Sequence, residues 1–373
     1  MTNIDCRVAI LRNGIEIGEL NCIDVEVRYD SKAKVKRGCQ ITCNSKENMK
    51  SYSEKVYDFL FSGDDTFPGD DTYTVKNEYE DKPFVFNKIS DRLQVFLIKD
   101  GIEESLGIFM IISSPKKDTG LLETYNFECY DESMKLDQNQ IEDRLFISAG
   151  TQYLSAIKRL LVNKGFTLII SDDSSSLLLS DREWEAGSDI LDIINELLVE
   201  INFSEFHINS NGYAMLLKKQ AKYTSDFIYK LGENSVIEPG TNEEFDIYSI
   251  PNIFVGVVSN PDVPLMRYKV VNDRLDSSIS TVNRGYELTK YYKLNNIASQ
   301  IELEEYIKNV FNDSLQKTEK ISFNSEQQAG HEYECTVQID TNSIKGLFVE
   351  TEWTIKLGLK GNMTHVAERK VFI

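Results

Sequence analysis

Arg92-Leu93-Gln94-Val95-Phe96-Leu97-Ile98-Lys99 runs into Asp100-Gly101 and returns through Leu106-Gly107-Ile108-Phe109-Met110-Ile111-Ile112. Asp-Gly is favoured in two-residue hairpin turns because both positions accept positive φ, so the apolar runs on either side predict two antiparallel strands. Towards the N-terminus the signal repeats: residues 7–11 lead into Asn13-Gly14 and residues 15–20 return. Between the two hairpins Ile23, Val25, Val27 and Tyr29 alternate with Asp24, Glu26 and Arg28, the period of a strand with one buried face. Cys39, Ile41 and Cys43 continue that pattern, and Tyr125, Phe127 and Cys129 share one face of a further strand. A short helix over 53–62, stopped by Gly63, and an acidic loop over 64–73 interrupt the strands.

The character changes near residue 135. Tyr153, Leu154, Ile157, Leu160 and Leu161 predict a helix over 151–163 that stops at Gly165, followed by a short apolar strand over 166–171. Ser188 is placed to cap a second helix reaching about residue 200, whose Ile190, Leu191, Ile193, Ile194, Leu197 and Leu198 give it a broad apolar face. A hairpin over 204–218, turning at 209–212, completes a small α/β unit. Four of the 7 prolines then fall between Pro239 and Pro264 and mark a boundary. In the β-rich part beyond it, Ser299-Gln300-Ile301-Glu302 fits a capping box, and Leu303, Tyr306, Ile307 and Val310 form the buried stripe of the helix it starts. Val349, Thr351, Trp353, Ile355, Leu357 and Leu359 alternate with Glu350, Glu352, Thr354 and Lys356, which predicts a strand with the first set inward.

With 373 residues the chain has room for two or three domains. Its 41 Lys and Arg against 60 Asp and Glu give a net charge of −19, which disfavours phosphate neutralisation on nucleic acid and binding to an anionic membrane surface. No apolar run approaches the roughly 18 residues of a membrane helix, and no basic-then-apolar leader opens the chain, so membrane insertion and secretion are not expected. The 6 cysteines, at 6, 22, 39, 43, 129 and 335, lack CxxC spacing and read as reduced thiols in strands.

Catalytic chemistry has little material. His207, His331 and His365 are the only histidines, too few and too scattered for a recognisable triad or a histidine-rich metal site. His331-Glu332-Tyr333-Glu334-Cys335 misses the zincin pattern, because the fifth residue is Cys and the segment enters a strand that splays the side chains. The acidic loop over 64–73 lacks EF-hand spacing, and Asp172-Asp173 reads as a polar loop. Trp353 sits among core residues, whereas Trp184 is balanced between packing and a sugar platform. No catalytic, cofactor-binding or metal residue is assigned.

The order of these features resembles a known family. The strand over 23–29, the hairpin over 93–112 and Tyr125-Asn126-Phe127-Glu128-Cys129-Tyr130-Asp131 with Met134 and Leu136 are similar to the N-terminal barrel of phage tail baseplate hub proteins. These form the late-control protein D-like family, which includes prophage and tailocin hubs and the N-terminal part of tail-associated lysins. Ile250-Pro251-Asn252, Ser259-Asn260-Pro261-Asp262, the helix at Ser299 and the stretch from Gly330-His331-Glu332 to His365-Val366-Ala367-Glu368-Arg369 look like the second barrel. The resemblance implies a β-rich α+β multidomain fold: a tube-like β-barrel over 1–137, a small α/β domain over 138–225 and a second barrel with one inserted helix over 226–373. It implies a homotrimeric ring joining a six-fold tail tube to a three-fold tip. Partners would be a tail tube or distal tail protein on one side and a tip, spike or fibre protein on the other. DNA or a tape-measure protein would pass through the lumen without specific binding. Assembly would take place in the bacterial cytoplasm, with the virion tail baseplate as destination. No cofactor is expected, and because no long C-terminal extension follows Ile373, neither is lytic activity. The alternative is a glycan-active β-rich enzyme or a host-glycan binding module built around Trp184.

Overall fold

A computed structural model describes residues 4–44, 49–51, 86–118, 123–178, 180–201, 203–219, 223–231, 237–244, 249–258, 265–294, 300–314, 316–341, 344–358 and 360–372. The helix expected over 53–62, the acidic loop over 64–73, Ser259-Asn260-Pro261-Asp262 and the capping Ser299 lie outside the described residues. The chain divides into two compact units, one of residues 1–221, 327–333 and 354–363, the other of 222–326, 334–353 and 364–373.

In the first unit both hairpins form as the turn chemistry predicts. Asn13 and Gly14 have φ of 51° and 80°, and Asp100 and Gly101 have 51° and 83°. Arg92–Lys99 pairs antiparallel with Ile102–Ser113, with a register shift between Val95 and Phe96, and buries Leu93, Val95 and Leu97. Around this hairpin runs an antiparallel path in the order Cys22–Asp30, Arg37–Asn44, Glu123–Tyr130, Ile102–Ser113, Arg92–Lys99, Ile4–Arg12, Ile15–Leu20 and Met49–Ser51. The alternating strand turns Val25, Val27 and Tyr29 inward as its period requires, while Ile23 is 57 % exposed. Among the described residues the expected tube is not closed. No ladder joins the two ends of the path among the described residues, and the free flank of Cys22–Asp30 is taken by the 354–363 segment, where the Leu357 N–H donates to the Val25 carbonyl (2.9 Å). A β-rich open sheet therefore stands where a barrel was expected.

The α/β part of this unit follows its helical periodicity. Tyr153–Asn163 buries Leu154, Ala156, Ile157, Leu160 and Leu161, and Ile190–Glu200 buries six aliphatic side chains against the same core as Phe166, Phe206 and Leu216. The second helix starts one residue later than expected: Asp189 occupies the cap position, and the Ser188 hydroxyl donates instead to the Glu185 carbonyl (2.8 Å). Ile169–Ser171, Ala214–Leu216 and His207–Ile208 make a three-stranded sheet beside the helices.

The second unit contains the path Ile237–Glu244, Gln316–Ser325, Met363–Phe372, Lys345–Lys356, Thr336–Asp340 and Phe227–Lys230. Tyr229, Ile321, Phe323, Val337, Ile339 and Phe348 fill its core. Here the expected alternation fails in part. Val349 is 41 % exposed whereas Glu350 and Thr351 are both buried. Two consecutive inward residues shift the phase of the strand, so the inward set is Phe348 and Glu350 before the shift and Thr351, Trp353 and Ile355 after it. The unit also carries a separate three-stranded sheet, Met266–Val271, Ile253–Val258 and Thr289–Leu294, with the helix Gln300–Ser314 on one face. Phe254 and Val258 meet Leu303 and Ile307 there. Gly256 lets the helix approach, since a Cβ at that position would come within 2.6 Å of the Ile307 side chain.

Candidate functional site

The phase shift that buries Glu350 creates the most unusual polar constellation of the second unit. Ser325 ends Gln316–Ser325, Glu350 lies within Lys345–Lys356 and His365 within Met363–Phe372, all on neighbouring strands. Ser325 Oγ lies 2.7 Å from His365 Nε2, and His365 Nδ1 lies 2.5 Å from Glu350 Oε1. The order Ser–His–acid is that of a hydrolase triad, assembled from residues that no sequence spacing connects. Its protons are arranged differently. Ser325 Oγ also donates to the Glu326 carbonyl (2.8 Å), which can only accept, so Nε2 donates to Ser325. Nδ1 and Glu350 Oε1 then share one proton. Phe323 stacks on it at 4.5 Å between centroids and Tyr229 tilts against it at 5.2 Å. Burial, with Glu350 adding to it, pushes the Tyr229 phenol well above its ordinary pKa, so it stays protonated. Ser325, Glu350 and His365 are each at most 1 % exposed. The serine hydroxyl donates to a carbonyl and is sealed from solvent, so the constellation is a closed hydrogen-bonded network inside a sheet core.

The first unit has a second buried polar network, which fastens its main sheet to its α/β part. The Arg37 guanidinium, 2 % exposed, donates to the Leu106 carbonyl (2.6 Å) and to Glu332 (2.7 Å), whose other oxygen accepts from the Ser210 N–H (3.0 Å). Lys36 Nζ donates to Glu205 (2.8 Å) and to the Ser31 carbonyl (2.7 Å). Asp131 accepts from the Arg37 and Ser133 N–H groups (3.1 and 2.8 Å), although full burial raises its pKa above the usual carboxylate value. His207 stacks on Tyr333 at 4.2 Å, and its Nδ1 lies 2.9 Å from the Glu205 carbonyl, which fixes the proton on Nδ1 in the neutral ring.

Burial pushes the His207 pKa down to about 4, with Lys36 and Arg37 adding to that effect. A histidine in the unfolded chain titrates near 6.5, so between pH 6.5 and about 4 the unfolded state binds the extra proton. The stability that His207 lends as a neutral ring is complete above pH 6.5 and is lost as the pH falls through that window, a change of about 3 kcal/mol. Denaturant unfolding at pH 7 and pH 4.5 should therefore show a smaller acid loss in His207→Phe, which keeps the stack on Tyr333, than in the unaltered protein. Equal losses in the two proteins would contradict this.

His331 is buried in the loop that leads into Thr336–Asp340, and Cys335 directly precedes that strand, so their four-residue spacing falls outside any helical turn. Trp353 is 2 % exposed. Trp184 packs against the α/β core, its Nε1 donates to Glu196 (2.8 Å), and the Arg182 guanidinium lies 5.5 Å from its ring centroid. Asp172 accepts from the Lys218 N–H (2.8 Å) and closes a loop. All 6 cysteines are free, five on strands and Cys335 next to one; Cys39 sits opposite Cys129 in the ladder, and burial raises the pKa of both. The first unit also has an open cleft of about 260 Å³ lined by Gln40, Thr42, Pro115, Asn126 and Glu128.

No family model matches the sequence, and no curated protein matches it. Comparison of folds is decisive. The chain superposes on the tail protein from Neisseria meningitidis MC58 with a TM-score of 0.63 at 9 % identity, over 98 % of this chain and 97 % of that one. It superposes on the 43 kDa tail protein of prophage MuSo2 from Shewanella oneidensis with a TM-score of 0.62 at 9 % identity, over 98 % of both. The chain has the fold of a prophage tail protein. The superposition spans residues of both units, and at 9 % identity the architecture is what is shared.

Proposed function

We propose that the protein is a structural component of a phage tail or phage-derived particle, the baseplate or tail-tip hub, in which three copies close into a ring joining the six-fold tail tube to the three-fold tip. The observation that carries this reading is the match in fold to two tail proteins over 98 % of the chain. In this reading residues 1–137, 138–225 and 226–373 are the first tube-forming, small α/β and second tube-forming domains. Partners are the tail tube or distal tail protein on one side and a tip, spike or fibre protein on the other. The ring is assembled in the bacterial cytoplasm and ends in the virion baseplate. Its lumen passes DNA or a tape-measure protein, and the surplus of 19 acids per chain supplies an acidic lining that repels a moving polyanion.

Light scattering tests the stoichiometry. Three chains of 42.7 kDa give about 128 kDa, held by head-to-tail contacts of at least about 1,000 Å² each. A mass of one chain at every concentration contradicts the ring.

The reading includes the absence of hydrolase activity. Its support is the sealed Ser325–His365–Glu350 constellation, with its serine proton on a carbonyl, and a Trp184 already engaged by Glu196 and Arg182. Zymography on cell-wall material should show no clearing; clearing that persists in a repurified sample contradicts it and favours the glycan-active alternative.

A further inference from the structure

The separate sheet of the second unit departs from the charge balance of the chain. Met266–Val271, Ile253–Val258 and Thr289–Leu294 together carry Arg267, Lys269, Lys290 and Lys293 and no Asp or Glu, in a protein with 60 acids against 41 bases. The register sorts these cations by face. Val257 lies opposite Arg267 on one side and Lys293 on the other; Val255 lies opposite Lys269 and Tyr291; Ile253 lies opposite Val271 and Thr289. Residues directly opposite each other in a ladder share a face, and Phe254 and Val258, which meet the Gln300–Ser314 helix, are on the other one. The helix-free face thus has a central row of Ile253, Val255 and Val257, buried beneath its neighbours, and flanks of exposed Arg267, Lys269, Tyr291 and Lys293. Arg267, Lys269 and Lys293 form no ion pair among the described residues, although the chain pairs many other cations.

We propose that this face docks an acidic surface of a second copy of the chain, as one part of the contact between neighbouring subunits. The inference rests on the ring proposed above and adds the surface that sets its register. Charge complementarity favours a copy of the same chain as occupant: each copy carries an excess of 19 acids, and without local cations two such copies repel. Size agrees with a partial role. Six residues of about 3.3 Å across three strands about 4.8 Å apart cover a few hundred Å², less than the roughly 800 Å² per partner of a stable interface. The face therefore steers and orients a contact that other surfaces complete.

Sedimentation velocity on the full chain, at low and high salt, tests this with Arg267→Glu/Lys269→Glu/Lys293→Glu and with the triple Gln variant. The unaltered protein should form trimers that weaken as salt rises. The Glu variant, with unchanged circular dichroism, should lose at least about tenfold in association at low salt. The Gln variant should show a smaller loss and a shallower salt dependence, and it decides the question if the Glu variant does not fold. Trimers equally strong in all variants overturn the docking face and leave the ring standing. A monomeric unaltered protein overturns the ring and the face together. Binding of a fluorescent oligo-dT strand that the Glu variant loses, with trimers unaffected, assigns the face to nucleic acid and also overturns the proposal.

Discussion

Glu350→Ala is expected to destabilise the second unit by about 2 to 3 kcal/mol, because it leaves His365 Nδ1 buried without its hydrogen-bond partner. Nε2 can still donate to the Ser325 oxygen, so the loss falls on Nδ1, which is left without a partner in a buried site. The double change Glu350→Leu/His365→Phe removes both polar partners and keeps an aromatic ring where Phe323 stacks at 4.5 Å. It should recover most of the loss, since replacing both partners of a buried hydrogen bond with apolar groups of similar shape can be nearly neutral or stabilising. Denaturant unfolding followed by far-ultraviolet circular dichroism measures both. A double variant as unstable as Glu350→Ala contradicts a purely structural pair, and so does Glu350→Ala within about 1 kcal/mol of the unaltered protein.

Leu197→Ala should cost about 2 to 5 kcal/mol in the α/β part of the first unit. Leu197 is fully buried on the Ile190–Glu200 helix, in the core cluster that also holds Ile193, Ile194, Leu198, Phe166 and Phe206. Truncation removes three heavy atoms from a packed site and leaves a cavity the surrounding rings cannot fully close. Val199→Ala, on the same helix at a position 63 % exposed, should stay within about 0.5 kcal/mol. Equal costs at the two positions would mean that the helix does not present this face to the core.

What the sequence made legible followed from local rules. Asn13-Gly14 and Asp100-Gly101 specify their turns by positive φ, and the 3.6-residue period of Leu154, Ile157, Leu160 and Leu161 specifies a buried helical face. The resemblance in the order of elements reached the tail-protein fold that the two solved tail proteins share. That the first sheet stays open was not legible, since the residues on the flank of Cys22–Asp30 come from about 330 positions later in the chain. The inward turn of Glu350 was missed for a related reason. Strict alternation assigned it to solvent, and only the phase shift at Glu350-Thr351 brings it to His365 and Ser325. One signal was available: Ser325, Glu350 and His365 are polar residues in strands otherwise rich in inward apolar side chains, which asks where each finds its partner. The polar network around Arg37 and Lys36 left no such trace, because Glu205, Ser210 and Glu332 lie in loops with no periodicity to read.

Electron microscopy of the purified protein tests the central claim most directly. The account predicts closed rings of three copies with a central opening and a three-fold axis. Particles that are single chains, or two-fold dimers without an opening, at every protein concentration would contradict it.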